Sequence, residues 1–267
     1  MLIIRRISVY LIPLVIFCLL FSLFLAPQWY YYVFLLINLL IIFSFWYLIS
    51  HKTKLADFIN LLIGAVFFIN GALLFIIFLE NVIFQGIIIL FVSVFLFTYF
   101  NVIFKEFYKQ PVWQLNNLKN YLYFGQLIAL WFLTTASYGL LTFININIIL
   151  ACALILLVSL IFFWQALWLF AYFSNSENLS LISQKPVSLP LLIIIFMAAF
   201  GETAALINLL SLTIYFKGLI FTMVYYLFCE GFFQDQEQII KRRLFKRSLI
   251  GVIIILILTF ILSYLIL

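Results

Sequence analysis

Met197-Ala198-Ala199-Phe200-Gly201-Glu202-Thr203-Ala204-Ala205-Leu206-Ile207-Asn208 sets a carboxylate deep inside a run, Leu191 to Phe233, that is apolar for about two membrane-helix lengths. Small residues crowd around Glu202 in a chain elsewhere filled by Phe, Leu and Ile, and small residues let helices approach closely in a bilayer. A carboxylate near the bilayer centre costs at least about 2.5 to 3.5 kcal/mol, so it is expected to face protein or water and to mark a functional site.

The surroundings of this stretch repeat along the whole chain. Of 267 residues, 69% are hydrophobic and 8% charged, with a mean hydropathy of +1.33. A soluble domain carries roughly 25% charged residues, so a soluble fold is excluded. The intervals between charge clusters accommodate about 20 apolar residues, as a hydrocarbon core about 30 Å thick requires of a helix. Barrel strands are about half as long and alternate in polarity. The predicted fold is therefore all-α: a polytopic transmembrane helix bundle of eight to nine helices, four hairpins followed by a C-terminal helix, with residues 1–267 forming a single integral membrane domain.

Arg5 and Arg6 imitate the basic start of a signal peptide, but Ile7 to Ala26 is too long an apolar stretch for one, and Phe24 and Pro27 spoil the only nearby cleavage pattern. The first helix is thus predicted over Ile7 to Ala26 and the second over Trp29 to Ser50, with Trp29 to Tyr32 at the interface that such rings favour. His51, Lys52 and Lys54 precede a third helix, Asp57 to Leu79, where Asp57 suits an N-terminal cap. Glu80 and Asn81 mark a tight turn into a fourth, Val82 to Phe104. Residues 105–120 read as a cytoplasmic loop or surface helix, with Pro111 at a helix start. The fifth and sixth helices are expected over Tyr121 to Phe143 and Ile148 to Phe173. Residues 174–188, which open with the capping-box spacing Ser174 to Glu177, and residues 234–247 read as further cytoplasmic loops or surface helices. Leu191 to Phe233 makes the seventh and eighth helices, and Ser248 to Leu267 the ninth.

With nine alternating helices, every Lys and Arg except Lys217 falls on one side of the membrane. By the positive-inside rule that side is the cytoplasm, which puts the N-terminus inside and the C-terminus outside an integral membrane protein, expected in the plasma membrane. The tight turns near Pro27, Asn81, Ile146 and Leu210 are spaced by 54, 65 and 64 residues. Any array of helices cut to membrane thickness gives such spacing, so it does not establish an internal repeat.

The net charge of +6 and pI near 9.2 do not indicate nucleic acid, because the basic residues sit in short loops at helix ends. Cys18, Cys152 and Cys229 share no ligand-like spacing and read as small buried apolar residues. His51 is the single histidine, there is no His-Glu-x-x-His pair, and Asp57 and Asp235 both lie near the inner boundary. No catalytic, metal or cofactor-binding residues are assigned, and the chain is expected not to be an enzyme.

The candidate intramembrane polar site is Glu202, Asn70, Thr134 and Lys217. Glu202 lies 13 residues above Leu189, Asn70 13 above Asp57 and Thr134 13 above Tyr121, hence all about 20 Å in from their helix ends. With Thr135 and Ser137 they would form one layer if the third, fifth and seventh helices are neighbours. Lys217 pairs with Glu202 if the turn between helices seven and eight centres near Leu210. If Lys217-Gly218 is instead the helix end, as cation-then-glycine chemistry suggests, Lys217 sits at the outer surface, and that reading is preferred here. Lys241, Arg242, Arg243, Lys246 and Arg247 are candidates for contact with anionic lipid, beside their plainer role of orienting the last helix. Two functions follow. The first is a non-enzymatic helix-bundle component that packs with other membrane subunits or with copies of itself; the second is a small secondary transporter or channel working through Glu202.

Overall fold

The computed structural model of the chain describes residues 2–108, 115–173, 189–234 and 250. Among the described residues there are eight long helices: α1 Leu2–Leu25, α2 Tyr30–Ile49, α3 Leu55–Ile77, α4 Val82–Tyr108, α5 Leu115–Phe143, α6 Ile148–Phe173, α7 Leu189–Leu209 and α8 Ile214–Gln234. A 3-10 turn, Pro27–Trp29, links α1 to α2. Six of the eight are long and apolar enough to cross a membrane, and α7 carries a shorter apolar segment, Ile193–Leu209. The expected ninth helix falls outside the described residues.

Helix is the form that closes every backbone hydrogen bond within the segment, which a lipid environment demands. The residues that interrupt the apolar runs then set the helix ends. Asn81 Oδ1 accepts from the Ile83 amide at 2.8 Å to begin α4, and Asn147 Oδ1 accepts from the Ile149 amide at 3.0 Å to begin α6. Across the first of these turns Gln85 Nε2 donates back to the Leu79 carbonyl at 2.6 Å, just beyond the end of α3.

Two sequence expectations are corrected here. Asp57 does not cap α3; the helix begins two residues earlier, with Lys54 as the flanking residue, and Asp57 lies in the first turn. The ends of segment 105–120 are not loop: residues 105–108 continue α4 and residues 115–120 begin α5. At 27 residues, α4 reaches about 40 Å, longer than the roughly 30 Å hydrocarbon core, so its charged end emerges without leaving the helix. Residues 109–114 and 174–188, and all of 234–247 beyond Gln234, lie outside the described residues.

The chain divides into two compact units, Met1–Ala129 and Leu130–Leu267. In the first, α1 packs on α2 and α4, and α3 on α2 and α4. Its core is aromatic: Phe68 stacks on Phe95 with ring centroids 4.2 Å apart, and Phe45 meets Phe100 at 5.3 Å. The Tyr99 hydroxyl, buried with them, donates to the Leu61 carbonyl at 3.0 Å. In the second unit α6, α7 and α8 pack on one another around Phe163, Phe196 and Phe200, with Phe163–Phe196 and Phe196–Phe200 stacked at 4.5 and 4.3 Å.

Candidate functional site

The helical period sorts α7 into two stripes. Phe196, Phe200, Ala204 and Ile207 are buried, whereas Ala198, Ala199, Glu202 and Ala205 are exposed beside Leu206 and Leu209. Glu202 thus faces outward, on the small-residue stripe, with no hydrogen bond or ion pair to any described residue. This differs from the expectation that the carboxylate faces inward. In lipid, apolar surface gains nothing from being buried against other apolar surface, so packing decides which stripe turns in, and here stacked phenylalanines outcompete alanines.

Lys217-Gly218 does not end a helix; Lys217 lies in the first turn of α8. The turn falls at residues 210–213, α8 starts at Ile214, and the ammonium of Lys217 donates to the Asn208 carbonyl at 3.0 Å. It therefore covers an orphan carbonyl of α7 rather than pairing with Glu202. Gly218, the apparent terminator, is inside α8 for a different reason. A Cβ built on it would lie 2.1 Å from Thr135 Oγ1, 2.9 Å from Thr135 N and 3.0 Å from Thr135 Cα, so its missing side chain is what admits α5.

The threonines of the candidate layer serve that crossing. Thr134 Oγ1 donates to the Leu130 carbonyl at 2.7 Å and lies 3.4 Å from the Gly218 carbonyl, while Ser137 donates to Leu133 at 2.8 Å. The Thr135 hydroxyl is buried with no partner among the described residues. Trp131 Nε1 donates to the Tyr215 carbonyl at 3.2 Å, and the Tyr138 hydroxyl to the Ala204 carbonyl at 3.1 Å, tying α5 to α8 and to α7. Asn70 belongs to the first unit and finds its partner there. Its amide donates to Asn38 Oδ1 at 3.1 Å, and Asn38 Nδ2 donates to Asn70 Oδ1 at 2.8 Å.

Asn38 escaped the sequence reading, although depth counting could have found it. It lies eight residues inside the end of α2 at Tyr30, as Asn70 lies seven inside the neighbouring end of α3 at Ile77. Gln126, buried in α5 with neither side-chain polar atom paired among the described residues, was also missed. The cysteines are not uniformly buried: Cys229 is, Cys152 is intermediate, and Cys18 is exposed on α1. An exposed position on a membrane helix is still apolar, which suits a thiol. Lys241, Arg242, Arg243, Lys246 and Arg247 lie outside the described residues. Among the described residues no group of three or more metal-ligating side chains gathers.

The arrangement can present a hydrogen-bond acceptor from the outer face of a helix otherwise suited to close contact. Comparison of the chain with protein-family models, with curated proteins and with solved structures finds no match.

Proposed function

We propose that this membrane protein is a non-enzymatic helix-bundle component that associates with other membrane subunits through the Ala198, Glu202 and Ala205 face of α7. The observation that carries the reading is the outward position of Glu202 on a stripe of small residues. An unaccompanied carboxylate facing hydrocarbon costs at least about 2.5 to 3.5 kcal/mol, and a partner helix supplying a donor removes much of that cost. Alanines on either side let its backbone come close. The partner expected on this chemistry is a transmembrane helix with a donor at matching depth, from another subunit or a second copy of the chain. The same outward position weighs against an ion path through Glu202 between helices of this chain. The distribution of Lys and Arg supports an N-terminus in the cytoplasm and a C-terminus outside, and the plasma membrane is proposed as the location.

The test is photo-crosslinking in native membranes from Ala198, with the exposed Ile87 of α4 as the lipid-facing control. Ala198 is expected to capture a discrete membrane protein, Glu202→Gln to preserve that capture because an amide keeps an acceptor, and Glu202→Leu to abolish it. Equal capture from Ala198 and Ile87 overturns the contact. Proton or cation flux in reconstituted vesicles that vanishes in a well-folded Glu202→Gln establishes transport instead.

A further inference from the structure

Arg5 and Arg6 are neighbours in sequence that turn to different surroundings. Arg5 is held: its guanidinium donates to the Tyr108 hydroxyl and lies 5.6 Å from the Tyr47 ring centroid and 5.4 Å from that of Tyr108. The Tyr108 hydroxyl in turn donates to the Leu48 carbonyl at 2.6 Å, so the start of α1, the end of α2 and the end of α4 are tied together. Arg6 is exposed one residue on, where it lines a cavity of about 200 Å³ between α1 and α4 with Val9, Tyr10, Asn101, Phe104 and Lys105. Neither cation in that lining, nor the Asn101 carboxamide, has a hydrogen-bond or ion-pair partner among the described residues, and no carboxylate lines the cavity.

The composition of this cavity selects its ligand. An Arg fork, a Lys ammonium and an amide donor converge on one space, which suits the several acceptor oxygens of a phosphate group. Val9, Tyr10 and Phe104 supply an apolar wall for whatever the phosphate carries. With about 30 Å³ per water molecule in the liquid, 200 Å³ holds about six water-sized groups, room for a phosphate and its nearest substituents. The cavity sits where helix ends carry their charges, the level at which basic pockets between membrane helices meet lipid headgroups.

We propose that Arg6, Asn101 and Lys105 form a binding site for a phosphate group, supplied by the headgroup of an anionic phospholipid. Arg5 holds α1 and α4 in place beneath it and does not itself bind. The site stands apart from the outer face of α7 and does not depend on the reading of that face.

The full chain in a neutral detergent, mixed with phosphatidylglycerol, phosphatidylcholine or inorganic phosphate, tests this by native mass spectrometry of retained adducts. Phosphatidylglycerol is expected to be retained in preference to phosphatidylcholine. Lys105→Gln should weaken it about fivefold and Lys105→Gln with Arg6→Gln about 25-fold, from the usual worth of one cation at a lipid surface. Lys54→Gln removes an equal charge from an exposed position outside the cavity and should change nothing. Lys105→Arg should retain binding. Asn101→Asp, nearly isosteric, should abolish it by placing a like charge against the phosphate. Inorganic phosphate that displaces the lipid at comparable concentration upholds the phosphate site and reassigns its source to a soluble ion. Equal loss in Lys54→Gln and Lys105→Gln overturns the proposal, as does equal retention of the two lipids.

Discussion

Gly218→Ala puts a methyl group where Thr135 already is. The hydroxyl 2.1 Å from the new Cβ can rotate away, but the Thr135 backbone at 2.9 and 3.0 Å cannot, so α5 and α8 must move apart. Overpacking of this kind costs about 1 to 3 kcal/mol. Replacing glycine by alanine within a helix returns up to about 1 kcal/mol, so the net effect is small enough to mislead unless that return is measured separately. Gly86 supplies the measurement. It is the fifth residue of α4, as Gly218 is of α8, and a Cβ there meets nothing within 4 Å.

The quantity to read is therefore the difference between Gly218→Ala and Gly86→Ala in unfolding free energy in mixed detergent micelles. It is expected at about 1 to 3 kcal/mol against Gly218→Ala. Adding Thr135→Ala should recover only part of it, because the backbone contacts remain. Equal stability of the two glycine variants refutes the close crossing of α5 and α8.

Asn38→Leu and Asn70→Leu should each destabilise the first unit. A double-mutant cycle should give a coupling of about 0.6 kcal/mol, at most about 1.7, because each variant removes the same reciprocal pair of hydrogen bonds. Arg5→Gln should cost about 1 to 2 kcal/mol in the same unfolding assay, as it loses two ring contacts and a charged hydrogen bond, whereas Arg6→Gln should cost nothing measurable. A reporter active only in the cytoplasm should work when fused after Lys109 and stay silent after Leu267; activity at the second site refutes the nine-helix count.

Helix positions were legible because two signals coincide: apolar runs long enough for a membrane, and polar residues where they stop. Val82, Phe143 and Ile148 begin or end helices where the sequence puts them. Facing was not legible. In water, the apolar stripe of α7 would reveal its inner side; here both stripes are apolar, and the choice between Phe196-Phe200 and Ala198-Glu202 depends on Phe163 and Phe228, remote in sequence. Gly218 was misread for a related reason. A glycine after a lysine looks the same whether it ends a helix or admits another, and only the position of Thr135 decides.

The polar side chains inside the helices fall into groups according to what their chemistry allows. Ser44, Ser93, Thr142, Ser159 and Thr203 carry donors, and each gives its hydroxyl to the carbonyl four residues back, so the helix satisfies them without help. Tyr99 and Tyr138 are longer and reach carbonyls on neighbouring helices. Asn38 and Asn70 each carry a donor and an acceptor and so complete one another. An ionised carboxylate only accepts, and the amides of a helix interior already donate to their own carbonyls. Glu202, in the middle of α7, has no such amide within reach on its own helix and no described neighbour that donates to it. Its oxygens find no donor among the described residues, which suits a contact surface on the outer face of α7, where a partner helix can bring one.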